Sequence, residues 1–157
     1  MKKLVFATLM SVFAIVALQA QTNKEEVELF QSIFGMEKKA IVADFVKMEG
    51  ESGEAFWTLY DQYETERKEL GVSRLELLNE YATSYEQMST EKMDELVSKM
   101  IKLKSSTDKL MNKYYKKIKS AAGSKPAAQF FQIENYFSSA IRLSIYENIP
   151  FIGELEK

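Results

Sequence analysis

Apolar side chains recur at spacings of three, four and seven along most of this chain, and only short stretches interrupt them. That period belongs to an α-helix that buries one face, because residues three and four apart lie above one another. No run alternates apolar and polar residues as a half-buried strand does. The interruptions read "EGESG", "QMST" and "AAGSKP", where glycine, proline and hydroxyl residues supply turns and caps. The expected fold is all-α: four helices at about 24–48, 53–87, 90–122 and 125–148, in an elongated antiparallel hairpin or bundle. Thr22 and Glu25 have capping-box spacing, and Ser89 or Thr90 is placed to cap the third helix. Gly71 is a candidate kink in the second helix, and Gly123, Ser124 and Pro126 mark the last helix-to-helix turn.

Residues 1–20 read differently. "MKK" is a positive start, "LVFATLMSVFAIVAL" an apolar centre, and "LQA" ends on a small residue before Gln21. This is the pattern of a secretory signal peptide, and its apolar run is shorter than the roughly 20 residues of a membrane span. The expected organisation is a signal peptide at 1–20 and a single helical domain at 21–157, exported to the periplasm. No second long apolar run follows, so no membrane span is expected after cleavage. Removing Lys2 and Lys3 from the 21 basic residues leaves 19 against 23 acids, a net charge of −4. That balance argues against nucleic acid as a partner.

Histidine and cysteine are both absent. This removes thiol and imidazole nucleophiles, the Ser-His-Asp arrangement and zinc sites built on Cys and His. Carboxylate chemistry and hard cations on oxygen ligands remain open. Acid pairs such as Asp61 with Glu64, or Asp94 with Glu95, lie on faces expected to be wet and outside any glycine-rich pocket context. No catalytic residue, metal site or cofactor is nominated, and the chain is not expected to be an enzyme.

Charge is unevenly spread. Glu49, Glu51, Glu54, Asp61, Glu64, Glu66, Glu69, Glu76, Glu80 and Glu86 make the second helix acidic, and lysines dominate from Lys99 to Lys125. Mutual attraction across an antiparallel pair accounts for this pattern. Lys102, Lys109, Lys113 and Lys116 fall opposite the apolar stripe of the third helix. They form either a solvated face or a binding face for acidic or unfolded protein. Trp57 projects off the stripe of Phe56, Tyr60 and Tyr63 and is a candidate half-exposed contact. Met88, Met93, Met100 and Met111 have core spacing on the third helix.

Four charged residues break the stripes: Arg67 and Arg74 on the second helix, Glu134 on the fourth and Glu37 on the first. A buried charge needs a partner. The expected pairs are Glu134 with one of the arginines and Glu37 with the other, fixing which helices face each other. On the fourth helix Gln132, Asn135, Ser139, Arg142 and Tyr146 form a polar stripe, and the rest is expected to face inward.

"FWTLYDQYETERKELGVSRLELLNEYA", "MSTEKMDELVSKM" and "YYKKIKSAAGSKPAAQFFQIENYFSSAIRLSIYENIPFIGE" together resemble small exported helical proteins of the Spy/CpxP-related, LTxxQ-type group, as a divergent member. Met88-Ser89-Thr90-Glu91-Lys92 stands at the place of that turn-and-cap motif. The resemblance implies a thin, curved helical cradle, usually a homodimer. It also implies a periplasmic, ATP-independent chaperone-like or envelope-stress protein that binds unfolded or envelope proteins. The alternative is a sensor or adaptor that binds one defined envelope partner without catalysis. The client-binding candidates are Lys102, Lys109, Lys113, Lys116 and Trp57.

Overall fold

The computed structural model describes residues 24–154, with side chains from Gly35 onward. The signal segment at 1–20 and the Thr22–Glu25 capping box lie outside what is described. Four α-helices make up the described residues, and no strand occurs among them. They are α1 (Lys24–Val46), α2 (Gly50–Ser84), α3 (Thr90–Ala122) and α4 (Ser124–Asn148). A 3₁₀ turn at Tyr85–Gln87 extends α2. With 35 residues, α2 is about 50 Å long.

Local chemistry sets the boundaries. The chain leaves α1 at Lys47, whose φ of 49° is left-handed, and α2 starts at Gly50 rather than after the second glycine. Gly53 lies inside the first turn of α2 because a side chain would not fit there. A Cβ would come within 3.0 Å of the Met48 carbonyl carbon. Ser89 is the cap of α3, its hydroxyl accepting from the Lys92 N–H at 3.2 Å. Gly123 ends α3 at φ 101°, and its N–H donates to the Lys119 carbonyl at 3.2 Å. The helix α2 runs through Gly71 without a break.

Short connections force antiparallel packing of α1 on α2, α2 on α3, and α3 on α4, while α1 also lies against α4. The core sits where all four helices overlap. Phe56, Tyr60, Tyr63, Tyr114, Ile118 and Phe130 are almost wholly buried there. The Phe130 ring meets Tyr63 edge-on at 5.0 Å and Tyr60 at 6.4 Å. These T-shaped contacts add to the large apolar area that aromatic rings remove from water.

The other end of the bundle is thinner. Tyr81 and Tyr85 donate their hydroxyl protons to the carbonyls of Pro150 and Phe151, at 2.7 and 2.8 Å, and so tie the chain after α4 back to α2. Phe131 meets Tyr115 and Asn135 meets Met111, a register that brings the end of α4 level with the start of α3. Met100, expected in the core by its spacing, is 43% exposed, and Val97 is 45% exposed, although neighbouring Leu96 is buried. Among the same set, Met111 is buried as expected, and Met88 and Met93 are half-buried. On α4, the expectation that all but the polar stripe faces inward also fails: Tyr136 and Leu143 lie outside, and Phe131 lies at the edge.

Candidate functional site

Two regions concentrate chemistry: a buried charged centre between α1, α2 and α4, and an outer surface that combines exposed apolar side chains with lysines.

The centre is built on Lys38. Its ammonium donates to Glu64 Oε1 at 2.6 Å and to Glu134 Oε2 at 2.7 Å, and all three side chains are buried. Tyr63 donates its hydroxyl proton to Glu134 at 2.7 Å, and the Tyr60 hydroxyl lies 3.5 Å from the other oxygen. Arg67 clasps Glu64 with two N–H groups, at 2.9 and 3.0 Å. The Lys38 ammonium also lies over the rings of Tyr60, Tyr63 and Phe137 at 5.3–5.7 Å. Every buried side-chain nitrogen and oxygen among the described residues has a hydrogen-bond partner.

This corrects the expected pairing. Glu134 is buried and ion-paired, but its cationic partner is Lys38 rather than either arginine. Glu37 is exposed, one position away on the solvent side of α1. Lys38 lies four residues after Phe34 and four before Val42, the spacing that should have marked it. It was hidden within the charged triplet Glu37-Lys38-Lys39. Arg67 belongs to the same network through Glu64. Arg74 is half-buried further along α2, and among the described residues no carboxylate reaches it within ion-pair distance.

Burial alone would raise the Glu64 carboxyl, but the charges of Lys38 and Arg67 overcome this and hold it below its ordinary value. The Tyr63 hydroxyl is pushed far up, first by burial and then by the charge of Glu134, so it stays a proton donor. Glu64 thus binds its proton more weakly in the folded state than in the unfolded state. It stabilises the fold above the unfolded carboxylate value of about 4.3, and that contribution is lost as pH falls through the lower folded value. Urea midpoints measured from pH 7 downward should hold until about pH 4.3 and then fall. In E64Q this fall should be shallower, and an identical pH profile in the variant would contradict the assignment.

The acidic and basic helices do meet. Glu66 accepts from Lys113 at 2.7 Å and from the Tyr114 hydroxyl at 2.7 Å. Glu80 accepts from Lys99 at 2.8 Å and also from Lys92. The paired acids of the sequence are split apart: Asp61 is exposed and bound to Lys39, and Glu64 points inward to Lys38. Among the described residues no cluster of three or more carboxylates gathers to hold a metal ion.

The client-binding candidates divide. Lys113 is committed to Glu66. Lys102, Lys109 and Lys116 are exposed, and among the described residues none has a carboxylate within ion-pair distance. Trp57 lies on the opposite side of α2 from Glu66, under Lys39, whose ammonium is 5.6 Å from its ring. It lines an open groove of about 700 Å³ with Met36, Ala40, Ala43, Lys47 and Met48. Trp57 and the α3 lysines therefore do not form one surface. Val97 and Ile101, the latter 65% exposed, flank the lysine face of α3, and half-exposed Met100 lies on its far side. On the α4 side Tyr146 stacks with Phe151, which is 61% exposed, and Ile152 follows. Neither spacing nor composition distinguished these from core residues.

Among the described residues no helix is long and apolar enough to cross a membrane. No protein-family model, curated protein or solved structure matches the chain.

Proposed function

We propose that this is a protein-binding module of the periplasm that holds unfolded or partly folded proteins without nucleotide, in the manner of the Spy/CpxP-related chaperone-like proteins. The observation that carries the reading is the exposed apolar pair Val97 and Ile101, which flanks the face of α3 that carries Lys102, Lys109 and Lys116. Large apolar side chains grouped at a surface favour partners that bury them. Adjacent lysines without carboxylate partners draw in acidic segments at long range. Neither element requires a defined sequence in the client. The second reading, an adaptor for one defined envelope partner, would use the same surface with narrower selectivity.

An aggregation assay with several unrelated unfolding proteins tests the proposal. The chain at stoichiometric dose should suppress aggregation of most of them. V97E/I101E should lose suppression while keeping its helical circular-dichroism spectrum. The triple charge reversal at Lys102, Lys109 and Lys116 should lose it for acidic clients first. Failure to suppress any client removes the proposal, and suppression of one alone favours the adaptor.

A further inference from the structure

A small cleft opens beside the buried centre, between α2, α3 and α4. Arg67, Leu70, Gly71 and Arg74 line it from α2, Thr107 from α3, and Phe137, Ser138 and Ile141 from α4, with Lys38 and Glu134 at its floor. Its volume is about 20 Å³, enough for one body the size of a water molecule or a halide ion.

The charges around it do not balance. Among the described residues, the buried and half-buried charges here are three cations, Lys38, Arg67 and Arg74, and two carboxylates, Glu64 and Glu134, while Arg142 acts on Arg74 from an exposed position. Both carboxylates are already spent on Lys38, Arg67 and Tyr63. One positive charge is left over, and it resides on Arg74. Burial first, and then repulsion from Arg67 and Arg142, holds the Arg74 guanidinium below its ordinary value, though it remains charged at neutral pH. Across the cleft the Ser138 hydroxyl makes no hydrogen bond to another described residue, so its proton is available. Thr107 directs its own hydroxyl to the Leu103 carbonyl and is committed. Gly71 lines the cleft without a side chain.

We propose that this cleft binds one small monovalent anion of halide size, seated between the Arg74 guanidinium and the Ser138 hydroxyl. Size excludes a phosphate or sulfate, and the single excess charge calls for a single negative one. Chloride meets both conditions. A half-buried guanidinium facing two others is costly without a counter-ion, and a bound anion removes that cost.

Thermal melts at equal ionic strength test it, with sodium chloride, sodium bromide or sodium gluconate as the salt. The melting temperature should be several degrees higher in chloride and bromide than in gluconate, because a ligand that binds only the folded state stabilises it. R74M should lose this difference, and K125M, which alters an exposed lysine elsewhere, should keep it. Gluconate is too large for the cleft, so R74M should be at least as stable as the parent chain in that salt. Chlorine-35 relaxation supplies a reading independent of folding: the parent chain should broaden the chloride line, S138A less, and R74M no more than a protein blank. Equal halide effects in the parent chain and R74M, or equal broadening by both, would overturn the proposal.

Discussion

Replacing Lys38 with methionine should lower the stability of the fold by about 3–5 kcal/mol at neutral pH, as measured by urea denaturation. Methionine has nearly the same length and fills nearly the same space, so the loss is electrostatic rather than a cavity effect. The variant leaves Glu134, which is 1% exposed, and Glu64 facing each other without the ammonium between them. Removing one partner of a buried ion pair strands the other's charge, and here it strands Glu134, while Glu64 keeps only Arg67. The same variant should begin to converge on the parent chain below about pH 4.3 and meet it as pH falls through the lower folded value of Glu64. E134Q should cost less, about 2 kcal/mol, because Lys38 keeps Glu64 and the amide oxygen still accepts from Tyr63. A loss below about 1 kcal/mol in K38M would mean that this centre does not hold the helices together.

Replacing Phe130 with alanine should cost a similar amount, about 3–5 kcal/mol, by a different route. Phe130 is fully buried at the crossing of α2 and α4, against Tyr60 and Tyr63. Truncation removes the transfer free energy of the ring and leaves a cavity that rigid neighbouring aromatics close only in part. The loss should persist at low pH, which separates it from K38M. Replacing Phe131 with alanine is the internal control. That neighbour sits at the edge of the bundle, 39% exposed, so its loss should be well below that of Phe130. Equal losses for the two would contradict the placement of the core.

The two variants also separate what was legible in the sequence from what was not. Phe130 announces itself: it recurs with Ile133 and Phe137 at helical spacing, and aromatic residues at such positions go inward. Lys38 does not. Its neighbours are charged, and helical spacing alone does not distinguish a lysine at the edge of a stripe from one that reaches through it. Glu134 was visible as a charge on the wrong side of its helix, and its burial followed. Its partner did not, because helix periodicity orders residues around one axis and carries no distance between axes. Arg67 and Lys38 were both within reach until the packing of α1 placed Lys38 between the two carboxylates.

The surface shows the same division. The lysine face of α3 follows from the angular spacing of Lys102, Lys109 and Lys116. The apolar edge beside it does not, because Val97 and Met100 have the same spacing as buried Leu96 and Met111. What separates them is which side of α3 its neighbours cover in the packed bundle. The groove at Trp57 likewise requires α1 to lie beside α2, a relation between residues far apart in the chain.

The sequence by itself determined the all-α class, the number of helices, their turns and most of the inward faces. These depend on propensity, capping and a period of three to four residues, all of them local. The tertiary structure alone decided that Lys38 closes the charged centre, that Trp57 and the α3 lysines lie apart, and that no carboxylate of the described residues pairs with Arg74. Each of these depends on the register between helices, and register is a property of the packed core rather than of any one segment.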